Sequence, residues 1–175
     1  MNFSTGQVVV HPHHGPATIK KIFTRTIRDD RRKYLNLEVR HSDLSVAVPV
    51  ELAEEMGVRP ILDAAGVREI FDLLLAESEV EETVWSRRIK NNTMRLRSGD
   101  VRTIAGLIRD LTRRNTEKRL SFGEMNLLRD AMTPFVAELA ISLNLTEDDV
   151  TAMVDAAVLE NKGLPASGVE LAPAV

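Results

Sequence analysis

The residues with the most chemical reach sit together in the middle of the chain. Trp85-Ser-Arg-Arg-Ile-Lys90 sets the only tryptophan beside Arg87, Arg88 and Lys90, with Arg95 and Arg97 further along. Arg and Lys neutralise phosphates, and a helix start presents backbone N–H groups to an anion. An exposed indole beside them can stack on a base or wedge between base steps. The competing reading is a buried indole, since large aromatics mostly sit in cores. A second basic stretch follows. Arg102, Arg109 and Arg113 share one face of the next helix, and Arg114, Lys118 and Arg119 continue the charge. A merely solvated face would mix acids with bases, so the single sign points to DNA phosphates.

Other candidate chemistry is weaker. His11-Pro-His-His14 places three histidines in four positions, yet no cysteine exists and the nearest carboxylates in sequence, Asp29 and Asp30, lie across a turn. Pro12 and Gly15 fit a turn directly, so turn and strand-end roles are expected there and no metal site. No Gly-rich phosphate loop, nucleophile elbow or zinc-protease helix motif is found. The sequence therefore predicts a binding module: no enzyme, no catalytic residue, no cofactor and no small-molecule substrate.

The elements that must position these groups are legible in outline. In the first fifty residues Val8–Val10, Ala17–Phe23, Tyr34–Val39 and Leu44–Val48 read as short strands, with Arg28–Arg32 as a charged hairpin connection and His41-Ser-Asp43 as a turn. Four or five strands at this spacing suggest a small antiparallel barrel. After Pro49 the period becomes helical. Glu51–Met56 reads as one turn closed by Gly57, and Val67, Ile70, Phe71 and Leu74 form an apolar stripe. Glu77–Glu82 reads as a connector. The next helix runs from about Val84 to Arg97. Asp100 caps another with stripe Val101, Ile104, Ala105, Ile108 and Leu111. Ser121-Phe-Gly-Glu124 is a capping box that opens a long helix, which Pro134 should kink or split. Thr146 caps the last. The fold class is α+β: a β barrel over 1–58, a helical bundle over 59–162 and a disordered tail over 163–175.

Composition sets the bounds. The chain is 43% hydrophobic over 175 residues, enough for two small cores, with 26 acidic against 23 basic side chains and net charge −3. That total argues against a tight, autonomous DNA binder. Charge placement is uneven, however: Val84–Arg119 holds eleven cations and three acids, between acidic flanks. No apolar run reaches membrane-span length and no signal-peptide pattern opens the chain, so a soluble cytoplasmic protein with no membrane contact is expected.

The ordered motifs carry a resemblance. Gly6-x-Val-Val-Val-x-Pro-x-His-Gly15 at the start resembles the CarD/CdnL family of transcription regulators. So do Thr24-Arg-Thr-Ile27, Tyr34-Leu35, Asp43-Leu44 with Val48-Pro49, Trp85-Ser-Arg-Arg88, Ser98-Gly-Asp-Val101, Arg109-Asp-Leu111 with Arg113-Arg114, and Leu120-Ser-x-Gly-Glu124. The likeness spans about residues 1–160. The first part alone also resembles the polymerase-binding domain of transcription-repair coupling factors, but the Trp85 segment favours CarD. It implies a Tudor-like β barrel docked on the β subunit of RNA polymerase through Arg25, Thr26, Ile27, Val46, Val48 and Pro49. It further implies a helical domain on promoter DNA, backbone and minor groove, through Trp85, Arg87, Arg88, Lys90, Arg109, Arg113 and Arg114. Trp85 matches a tryptophan that wedges at the upstream edge of the bubble and stabilises the open complex. Ala47 and Met125 depart from basic residues found in relatives. A monomer acting within the polymerase complex is expected. Two alternatives stand beside this: a protein–protein adaptor with a buried Trp85, and a metal-dependent enzyme using His11, His13 and His14.

Overall fold

The computed structural model describes residues 2–27, 30–40, 42–78, 80 and 82–164. Two compact units divide between Ile61 and Leu62. In the first, β1 (Val8–His11), β2 (Gly15–Ile27), β3 (Asp30–Val39), β4 (Ser45–Pro49) and β5 (Arg59–Pro60) form one antiparallel sheet in the order β4-β3-β2-β1-β5. Its core is Val9, Ala17, Ile19, Leu35, Leu37, Val39, Val48, Ala53 and Val58. The period-two run Leu35, Leu37, Val39 points inward, as alternation requires. The expected α+β division holds, but the sheet is open and not a closed barrel. Its last strand has only two residues, and one of them, Pro60, has no N–H with which to extend a ladder. Arg59 and Pro60, which the sequence pattern leaves to the helical part, pair here with Val10 and Val9.

The β2–β3 hairpin is longer than its hydrophobic pattern. Pairing continues past the core through Phe23↔Tyr34, Thr24↔Lys33 and Arg25↔Arg32 to Ile27↔Asp30. Asp30, Arg31 and Arg32 therefore belong to a strand rather than to a connection, while Arg28 and Asp29 lie outside the described residues. The Phe23 and Tyr34 rings stack at 5.8 Å, a cross-strand pair that supports the projecting part. At the β1–β2 turn Gly15 takes φ +73°, a left-handed conformation that favours glycine.

The second unit holds α1 (Ala64–Leu75), α2 (Trp85–Arg97), α3 (Val101–Glu117), α4 (Phe122–Leu143) and α5 (Glu147–Glu160). Side chains cap four of them: Asp63, Asp100, Ser121 and Thr146 accept from the N–H groups of Gly66, Thr103, Glu124 and Asp149. The α1 stripe Val67, Ile70, Phe71, Leu74 packs with the α3 residues Ile104, Leu107, Ile108 and Leu111, and with Leu139, Leu143, Val150 and Val154. Of the two outcomes expected at Pro134, kink or split, the split does not occur: α4 runs unbroken for 22 residues. Buried Ala131, Phe135, Val136 and Leu139 on either side hold it together against the lost backbone bond. The expected disordered tail lies outside the described residues from residue 165 onward.

Candidate nucleic-acid interface

α2 differs from its neighbours at its start. Its N-cap is Val84, which offers no side-chain acceptor, and its first turn has no acid. Just ahead of the helix, Glu82 Oε1 accepts from the Val84 N–H at 2.9 Å. One face of the helix is inward: Arg88 and Asn92 are buried. The opposite face carries exposed Arg87, Lys90 and Met94, while Trp85, one turn before Arg88 on its side of the helix, projects from the first turn. Trp85 is 54% exposed, so the indole is not core. The adaptor reading required the opposite.

The indole is nevertheless held. Its Nε1 donates to Ser121 Oγ at 3.2 Å, while Ile89, one turn along, lies 3.4 Å from where a Cβ on Gly123 would sit. Ser121 Oγ donates to Glu124 Oε2 at 2.6 Å, and the Ser121 N–H donates to the same oxygen at 2.9 Å. On the far side of that carboxylate Arg88 Nε donates to Oε1 at 2.7 Å, with Arg114 Nε at 3.6 Å. Arg88 also donates to the carbonyls of Glu82 and Thr83, just before α2. Burial alone would raise the Glu124 carboxyl. Hydrogen bonds from Ser121 and Arg88 outweigh it and lower the pKa to about 2. The capping box is visible in sequence; its link to a tryptophan 36 residues away is not.

Several predicted DNA contacts point inward instead. Arg88 and Arg109 are only 6% and 4% exposed. Arg109 donates to Asp110 Oδ1 at 2.9 Å and to the Leu73 carbonyl at 3.1 Å. Arg113 donates to the carbonyls of Ala76 (2.7 Å), Val158 (3.0 Å) and Leu74 (3.2 Å), where α1 and α5 end. A cation suits those negative helix ends. Arg114 is half-buried beside Glu124. Arg102 grips Glu69 with two bonds, at 2.5 and 2.7 Å, and Arg95 donates to Asp110 at 3.0 Å. As drawn from sequence, a basic face on α3 is therefore corrected: these cations join helices. Of the predicted set, Trp85, Arg87 and Lys90 remain on the surface, all within the first two turns of α2.

The predicted polymerase-contacting residues fall on two parts of the β unit. Arg25 and Thr26 are exposed on the projecting hairpin, where the Ile27 backbone pairs with Asp30. Val46, Val48 and Pro49 lie on β4, an edge strand paired only with β3. Val48 is fully buried, so its side chain faces the core, not a partner. Ala47 and Met125 are exposed.

At the β1–β2 turn the His11 and His14 rings lie 4.6 Å apart, and His11 Nδ1 accepts from the His13 N–H at 3.2 Å. That bond occupies one ring nitrogen with a turn role. Among the described residues no group of His, Asp or Glu is arranged to hold a metal ion, and no helix is long and apolar enough to cross a membrane.

Comparison with known proteins then decides the family. Residues 3–62 match the CarD-like/TRCF RID domain, and residues 69–155 match the C-terminal domain of CarD. The chain belongs to the CarD family. Both characteristic halves are present, in order, one on each compact unit. "Putative transcription factor YdeB" of Bacillus subtilis (strain 168) is 25% identical over 148 residues, covering 85% of this chain and 97% of that protein. This CarD-family chain is accordingly a transcription-related regulator, of a family of regulators and not of enzymes.

Proposed function

We propose that this CarD protein docks on the β subunit of RNA polymerase through its β unit and holds the upstream edge of the promoter bubble through its helical unit, stabilising the open complex. The reading rests on one observation above others: the sole tryptophan stands half out of the bundle on the first turn of a basic helix. Trp85 enters the minor groove as the wedge, while Arg87 and Lys90 meet adjacent backbone phosphates. Arg88 and Arg114 act behind them at Glu124, beneath the start of α2, while Arg109 and Arg113 tie α3 to α1 and α5. On the β unit, Arg25 and Thr26 lie beside one another on the hairpin. The outer edge of β4 at Val46–Pro49 offers backbone groups for strand addition, with Val48 contributing through its backbone. No cofactor or catalytic step is involved, and one copy acts per polymerase. Stabilisation follows from differential affinity for the open form, which shifts a pre-existing equilibrium.

Trp85→Ala tests this. Open complexes formed with polymerase and the full-length variant should decay as fast as those with no protein added, although the variant's helical circular dichroism is unchanged. A folded variant that prolongs open-complex lifetime as well as the parent would overturn the wedge.

A further inference from the structure

The wedge reading accounts for Trp85 but leaves a larger aromatic exposure beside it unexplained. Phe122, the first residue of α4, is 76% exposed, more than the indole itself, and Met125, three residues on, is 42% exposed. An apolar ring held that far into water contributes little to the fold. Phe122 directly follows Ser121, whose hydroxyl lies 3.2 Å from the indole Nε1, and precedes Gly123, over which Ile89 packs. The contacts through Ser121 and Gly123 seat the start of α4 against α2, so that Phe122 and Trp85 belong to one surface. The exposed charges around them are mainly cations, Arg87 and Lys90 on α2 and Lys118 and Arg119 just ahead of α4, with exposed Glu117 beside Lys118. Of the acids close by, Glu124 is buried and bonded to Ser121 and Arg88, and Glu82 accepts from the Val84 N–H at 2.9 Å.

We propose that Phe122 is a second aromatic contact to promoter DNA, packing with Met125 on the sugar or base face next to the step that Trp85 opens. This rests on the function proposed above and extends it from a point wedge to a two-point apolar edge. Neutral, sequence-tolerant stacking suits the site because every base offers a π-face, whereas hydrogen-bond readout would need polar side chains that this surface lacks at residues 122 and 125. The capping box does double duty here. Ser121 fixes the helix start and receives the indole N–H, so one side chain sets the spacing of both aromatics.

Full-length Phe122→Ala, Trp85→Ala and parent proteins are compared in open-complex lifetime with polymerase on one promoter. The parent protein with a photo-crosslinking phenylalanine in place of Phe122 is irradiated in the same complexes. The expected result is a loss of about 5-fold or more in the lifetime conferred by the protein for Phe122→Ala, the lower end of the effect of one base–aromatic stack. Its melting temperature should be unchanged, and the crosslink should form to a promoter strand. If Trp85→Ala shortens the lifetime and Phe122→Ala does not, the second contact is overturned and the wedge stands. If neither variant acts, the proposed function itself fails. A crosslink to a polymerase subunit in place of DNA would also overturn the assignment.

Discussion

Replacing Arg113 with methionine separates two roles for the same cation. Its guanidinium spans three helices, donating from α3 to Ala76 O at 2.7 Å, Val158 O at 3.0 Å and Leu74 O at 3.2 Å. A hydrogen bond to a charged group contributes about 1.5–3 kcal/mol net, so three at the lower figure give about 4.5 kcal/mol. Methionine fills part of the volume and water reaches part of the site, leaving an expected loss of about 3 kcal/mol. For a unit of this size that is a fall of roughly 12–24 °C in Tm. Urea unfolding followed by tryptophan emission is the assay, because Trp85 is the only tryptophan and reports the helical unit alone. Arg87→Met is the control. Its side chain is exposed, so stability should change by less than about 0.5 kcal/mol, while the salt slope of DNA binding falls by about 0.9. Should Arg113→Met unfold at the parental midpoint and reduce the salt slope as Arg87→Met does, the helix-joining role would be refuted and the cation returned to the DNA face.

Three further outcomes follow from the titrating groups. Burial, then the neighbouring His14 and His13, lower the His11 pKa from 6.5 to about 4, so the folded β unit prefers neutral imidazole. Its stability should be intact above pH 6.5 and decline by up to about 3 kcal/mol as pH falls through 4, read from the single tyrosine, Tyr34, in that unit. A His11→Asn variant that keeps the same pH profile would contradict this. Glu124, lowered to about 2, keeps the helical unit stable above pH 4.5 and withdraws up to about 3 kcal/mol as pH falls from there toward 2. Glu124→Gln leaves Arg88 without its buried counter-charge. It should cost about 3 kcal/mol and move the Trp85 emission maximum, and unchanged emission would disconnect the indole from the carboxylate.

Local signals in the sequence translated well where they were self-contained. Asp100 and Ser121 cap the helices they precede, and the stripe Val67, Ile70, Phe71, Leu74 is buried as its spacing demands. The start of α2 was legible too, because a tryptophan amid cations is unusual on either face. Long-range partners were not. Arg109 and Arg113 look like a DNA face because they share one side of α3, but Arg113 and, beside its bond to Asp110, Arg109 donate to backbone carbonyls, which carry no signature in sequence. Nor did alternation reveal the end of the β2–β3 hairpin, since both of its faces there are solvated and period two has nothing to mark. Sheet closure likewise depends on β5 being two residues long, a matter of tertiary contacts.

The inward turn of so many arginines bears on how such a protein can act on DNA at all. Of the eleven cations between Val84 and Arg119, Arg88, Arg95, Arg102, Arg109, Arg113 and Arg114 are engaged within the bundle. Arg87, Lys90, Arg97, Lys118 and Arg119 stand exposed, and Arg97 lies about 18 Å along the helix axis from the indole. Two to four phosphates within reach of the wedge give a salt slope of about −2 to −4, well short of the six to ten contacts of a strong binder. With net charge −3 opposing approach, the proposed interface should hold free DNA only weakly. Under the proposed function that weakness is useful: attachment to polymerase supplies a high effective concentration at one place, and nothing holds the protein on the rest of the chromosome. Adding cations to the α2 surface should therefore raise affinity for free DNA while eroding selectivity for polymerase-bound promoters. Severing the β unit's contact should abolish action at the bubble even with Trp85, Arg87 and Lys90 intact.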